Sequence, residues 1–166
     1  MKLDSLIFIL PKELKLLIAV FCITLSIGFF SGITFVNRTT GNTVTGIEEN
    51  YLGNEENDDA NVMKFKKSEK EILSIIHSHV LSMSVIFFLL GLLLSITALP
   101  KKFKLLLMIE PFLSILLTFG GIYFLWKGLF LMKYVILFSG IFMTLSFSTA
   151  IIIILFQLSI SKGKTV

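Results

Sequence analysis

Two histidines two residues apart, in Ile75-Ile76-His77-Ser78-His79-Val80-Leu81, are the side chains here whose type most readily does chemistry. Histidine is the commonest metal ligand and titrates near neutrality. Within a long apolar run, an ionisable residue is a functional candidate by default. The spacing limits what the pair can do, because residues two apart on a helix point ~200° apart. One helix therefore cannot aim both at one ion. The helical wheel puts His77 with Ser84, Gly91 and Ser95, toward a bundle interior. It puts His79 with Met83, Ile86 and Leu90, toward lipid or a neighbouring chain. Haem b takes axial ligands from opposite sides of its ring. A histidine here would need a partner such as Met132, expected at similar depth, or a histidine from a second chain. A divalent metal held by His77 and upstream carboxylates is the other cofactor reading. That acidic segment lacks EF-hand order, and no Cys-x-x-Cys or His-x-x-x-His supports zinc. Without a cofactor, the pair reads as interfacial histidines at headgroup level, or as a pH-sensing pair.

Glu110, followed by Pro111, is the second candidate. An acid at the bilayer centre costs ~2.5–3.5 kcal/mol on insertion scales, less near an edge. Glu110 is expected to reach the inner interface or to pair with Lys102 or Lys104, or else to handle a proton or ion while facing Ser95. Rise arithmetic separates it from His77 by ~20 Å in depth, which disfavours a joint His/Glu metal site. There is no phosphate-binding glycine loop and no plausible Ser/His/Asp set, so nothing supports an enzyme.

The elements that must position these residues are written in the composition. Of 166 residues, 55% are hydrophobic and 16% charged, and 17 are Phe. Ordinary soluble domains carry about 25% charged residues, so the chain is read as an integral membrane protein. Four apolar runs each hold the ~20 residues that cross a bilayer as a helix. They lack the alternation of barrel strands, so the expectation is an all-α membrane protein with four transmembrane helices in a bundle. The helices are placed at roughly 14–36, 69–98, 103–126 and 133–160, within a single domain spanning 1–166. The first run is too long for a signal-peptide core and lacks a small-x-small cleavage site, so it reads as an anchor helix. The apolar stub before Pro11 reads as a short interfacial helix. Ser68 and Glu71 fit a capping box that opens the second helix.

Residues 37–68 form one acidic extramembrane loop, with Glu48, Glu49, Glu55, Glu56, Asp58 and Asp59. It is too short and polar for a core of its own. Small or polar stripes mark expected packing faces: Thr24, Gly28, Ser31 and Gly32 on the first helix; Gly91 with His77, Ser84 and Ser95 on the second; Glu110, Ser114, Thr118 and Gly121 on the third; Gly140, Thr144 and Ser148 on the fourth. A second stripe on the fourth helix, Ser139, Ser146, Ala150 and Gln157, suggests contact with something beyond the bundle. Tyr123, Trp126 and Tyr134 read as an aromatic belt.

The net charge is +4, from 14 lysines, one arginine and 11 acids. So arginine-poor a set argues against nucleic acid as a partner. With both termini inside, the inner side carries Lys2, Lys12, Lys15, Lys101, Lys102, Lys104, Lys162 and Lys164, against Arg38 and six lysines outside. That distribution points to both termini in the cytoplasm. The excess of Lys, Ile, Phe and Asn suggests an A+T-rich bacterial genome, hence a bacterial cytoplasmic (inner) membrane. Cys22 is the only cysteine, so no intrachain disulfide can form. The functional expectation is a non-catalytic accessory or partner-binding subunit. It would contact the lipid bilayer and other membrane subunits or a second copy. Alternatives are a haem- or metal-binding redox protein using His77 and His79, and a small proton or ion transporter using Glu110.

Overall fold

The computed structural model describes residues 4–55, 57 and 62–160. Of the residues named above, Lys2, Lys162, Lys164, Glu56, Asp58 and Asp59 lie outside them. The described residues form α1 (Lys12–Thr40), α2 (Val44–Leu52), α3 (Glu69–Ser95), α4 (Lys101–Trp126) and α5 (Met132–Ser159), with a 3-10 turn at Leu6–Ile9 and no strand. The protein is all-α. Four helices, α1, α3, α4 and α5, are long and apolar enough to cross a membrane. At ~1.5 Å per residue each exceeds the ~30 Å of hydrocarbon.

The spans alternate in direction. One end of the bundle therefore carries the end of α1, the start of α3, the end of α4, the start of α5 and all of α2; we call it the loop side. The α4–α5 pair has the most extensive contact, and α3 lies on α4. Their shared core includes Phe87, Leu90, Leu94, Ile115, Ile122, Leu125 and Ile154, each at most 3% exposed. The first helix is peripheral: it buries Ile18 and Cys22, and lays Phe29 flat on Phe147 of α5, with ring centroids 3.8 Å apart. Phe147 is fully buried and takes edge contacts from Phe30 and Phe87.

Local chemistry explains the helix ends. Ser68 and Glu71 close the expected capping box: the Ser68 hydroxyl accepts from the Glu71 N–H, and the Glu71 carboxylate accepts from the Ser68 N–H at 2.8 Å. Gly41 ends α1 in the left-handed conformation, donating its N–H to the Asn37 carbonyl. Two residues later the Thr43 hydroxyl caps α2, accepting from the Gly46 N–H at 2.9 Å. This second helix departs from expectation, since residues 37–68 read as a coreless loop. Val44, Thr45 and Gly46 are weak helix formers. Tertiary packing supplies the stability, through buried Ile47 and a partly buried Tyr51.

The rest of the segment is tied down by polar contacts. The Asn54 side chain donates to the Val62 carbonyl and accepts from the Lys64 N–H. The Lys64 ammonium donates to the Thr39 carbonyl at the end of α1, where a cation suits the helix dipole. Lys133 of α5 meets Glu48 of α2 at 2.5 Å. The described part of this segment thus folds down as a cap over the helix ends.

Candidate functional site

The chemistry-bearing side chains gather along the seam between α4 and α5. Because the two helices run antiparallel, hydroxyls and amides at matching depths meet in pairs. Nearest the loop side, Thr118 and Ser139 share a hydrogen bond of 2.7 Å. Deeper, Glu110 accepts from the Ser114 hydroxyl with one carboxyl oxygen and from the Ser146 hydroxyl with the other. At the far end the Gln157 carbonyl accepts from the Ala98 N–H at 2.8 Å, while its amide donates to the Ala98 carbonyl. Ser139, Ser146, Ala150 and Gln157 are all buried. This stripe, expected to face outward, instead forms the bundle interior. On the other stripe, a methyl added at Gly140 would meet no atom within 4 Å.

Among the described residues Glu110 pairs with no lysine. Lys104 turns the other way, into a knot at the far end: its ammonium meets Asp4 at 2.5 Å and donates to the Thr97 and Ser95 carbonyls at 2.7 and 3.2 Å. Nor does Glu110 hydrogen-bond Ser95, whose hydroxyl donates to the Leu92 carbonyl. Both carboxyl oxygens are occupied by serines, so the residue bridges α4 to α5. The Lys104 knot was hidden in the sequence, because it joins residues 100 positions apart with no local periodicity to mark them.

The histidines sit differently from the wheel assignment. His79 is exposed; its ring is tilted by 30° against Phe119 of α4 with centroids 5.1 Å apart, and Nδ1 lies 2.8 Å from the Ile75 carbonyl. Further along α3, Leu90 is buried and Met83 and Ile86 are half-buried, while Gly91 is buried and Ser84 and Ser95 are half-buried, so both drawn faces meet the bundle. His77 is exposed. The expected contrast of an inward His77 and an outward His79 is therefore absent, because both rings lie where the loop-side part of α3 is mostly exposed. Met132 begins α5 and is half-buried. Among the described residues, no group of three or more His, Cys, Asp and Glu is arranged to hold a metal ion.

The glycines divide sharply. At Gly121 a methyl would stand 2.9 Å from Ile136 Cγ1, so α4 and α5 approach through it; at Gly91 the nearest neighbour, Met108, is 4.0 Å away. Gly28 and Gly32, expected inside the bundle, have nothing within 4 Å. With Thr24 and Ser31 they are exposed.

At the loop side, Trp126 ends α4 and donates its indole N–H to the Lys67 carbonyl at 2.8 Å. Lys66 and Lys127 lie over its ring at 5.4 and 4.7 Å.

The α2–α5 portion of this fold coincides with a family model describing a transmembrane helical domain, Aq_1264_TM, which matches residues 41–165. The chain belongs to that family. The match begins at Gly41, the residue that ends α1. No curated protein and no solved structure matches the chain. The Aq_1264_TM assignment and the four apolar spans together establish a small multi-pass integral membrane protein.

Proposed function

We propose that the chain is a non-catalytic, partner-binding subunit of a membrane complex, and that α1 is its docking helix. One observation carries the reading: the Thr24, Gly28, Ser31 and Gly32 stripe faces away from the chain's own bundle. Small residues matter in a membrane where two helix backbones approach closely. Acyl chains make no such demand. A Gly-x-x-x-Gly face turned outward therefore fits a helix from another subunit or from a second copy. The apolar remainder of that surface, including Leu17 and Phe35, suits either lipid or a partner span. The lysine distribution supports a bacterial cytoplasmic membrane with both termini in the cytoplasm.

A photo-crosslinking side chain placed at Gly28 in native membranes tests this. The expected result is a discrete protein adduct at Gly28, and only lipid adducts at Leu116, a residue 64% exposed on α4. Indistinguishable patterns at the two positions would overturn the docking role.

A further inference from the structure

We propose that the loop side holds a binding site for an anionic glycerophospholipid, with the headgroup phosphate between Lys66 and Lys127. Depth is the first argument. Trp126 ends a span, and Tyr123 and Tyr134 lie beside it in sequence order, as an aromatic belt at the membrane–water boundary requires. Trp126 is bonded to the Lys67 carbonyl and covered by Lys66, so residues 66 and 67 lie at belt depth. The segment just before them is apolar on its outer surface. Val62, Met63 and Phe65 are 67%, 61% and 68% exposed. In bulk water such a cluster would be costly; at headgroup depth it dips into the acyl boundary.

Charge and space are the second argument. A cavity of about 410 Å³ opens here, between Leu52 of α2, Lys66, Trp126, Lys127 and Phe130. Its carboxylates are Glu48, committed to Lys133 at 2.5 Å, and Glu55. Lys127 is shared with Glu69 at 3.5 Å. Among the described residues Lys66 forms no ion pair, and its ammonium rests on the indole face. Two lysines that line one cavity, at 5.4 and 4.7 Å from the same indole ring, suit a phosphodiester, and Phe130 and Leu131 offer exposed apolar surface for the acyl chains.

Native mass spectrometry of the purified chain from mixed micelles tests the site. Equimolar phosphatidylglycerol and phosphatidylcholine are supplied as competing probes. The expected result is retention of phosphatidylglycerol over phosphatidylcholine on the order of tenfold, falling to near equality in K66Q/K127Q. K101Q/K102Q, at the opposite end of the bundle, keeps the preference. K66Q alone, at an exposed side chain, lowers the preference partway and keeps the wild-type melting temperature, so loss of fold does not mimic loss of the site. Equal retention of the two lipids by the wild type overturns the proposal, as does an unchanged preference in K66Q/K127Q or an equal loss in K101Q/K102Q. Displacement of the lipid by millimolar inorganic phosphate would show a free-anion site and overturn the lipid assignment.

Discussion

Glu110 shows how a carboxyl group can be held in an apolar bundle without a counter-charge. Each oxygen takes one serine hydroxyl, one from its own helix and one from α5. Glu110→Gln preserves an acceptor on one side and offers an amide to the other serine, so expression and melting temperature in detergent should be close to wild type. Glu110→Leu leaves two serines unmatched and should cost ~1–3 kcal/mol; equal melting of the two variants would contradict the bridging role. The histidines do not show the asymmetry the wheel suggests, since both are exposed. His79→Ala removes a ring contact with Phe119 at an exposed position and His77→Ala removes none, so each should shift stability by no more than ~0.5 kcal/mol, His79→Ala the more. Thermal melts of the two single variants check the order. The pair itself was plain in the sequence, but its orientation was not. A wheel ranks faces by polarity, and here the α3–α4 seam is filled by Phe87, Leu90 and Phe119.

At the scale of elements, composition and caps made the four spans and the start of α3 legible, since the hydrocarbon thickness and the Ser68–Glu71 pair are local constraints. The second helix was not legible. Its capping threonine is there to read, but Val44, Thr45 and Gly46 argue against a helix, and the packing of Ile47 involves residues distant in sequence. The inward stripe of α5 was equally ambiguous, because Ser139 and Ser146 are chosen over Gly140 and Thr144 by partners on α4. Two predictions belong here. Phe147 is the buried hub on which α1 lies, so Phe147→Ala should cost ~3–5 kcal/mol. It should also raise hydrogen exchange in α1 more than in α4; uniform exchange would contradict the peripheral attachment. In α2, burial pushes the Tyr51 phenol up to about 12, against a smaller downward pull from the Asn50 side chain. Its folded value thus lies above its ordinary value of 10.0. The stability it contributes is complete below pH ~10 and is lost as pH climbs toward 12. Tyr51→Phe should flatten that alkaline decline in a pH series of melts, and an identical decline in the variant would show that ionisation of this phenol is not its source.

For the whole molecule, the alternation of spans puts α2 and the described residues between it and α3 on one side of the bilayer and the α3–α4 turn on the other. The lysine count favours the outside for the first. Cysteine introduced at Asn54 should react with an impermeant maleimide added to intact cells, and cysteine at Lys102 only after lysis. The native Cys22 is fully buried and should stay silent. The reverse labelling would invert the orientation while leaving the four spans in place.

The corner between α1 and α2 sets how motion can travel through this protein. At Gly46 an added methyl would stand 1.8 Å from the Thr40 carbonyl oxygen, so the two helices meet there backbone to backbone. A joint with no clearance has no slack. If α1 rolls when a partner seats against it, α2 must turn with it, as the two arms of a crank turn together. Through Glu48 and Lys133 that rotation reaches the start of α5. Engagement within the bilayer would thereby be signalled at its surface.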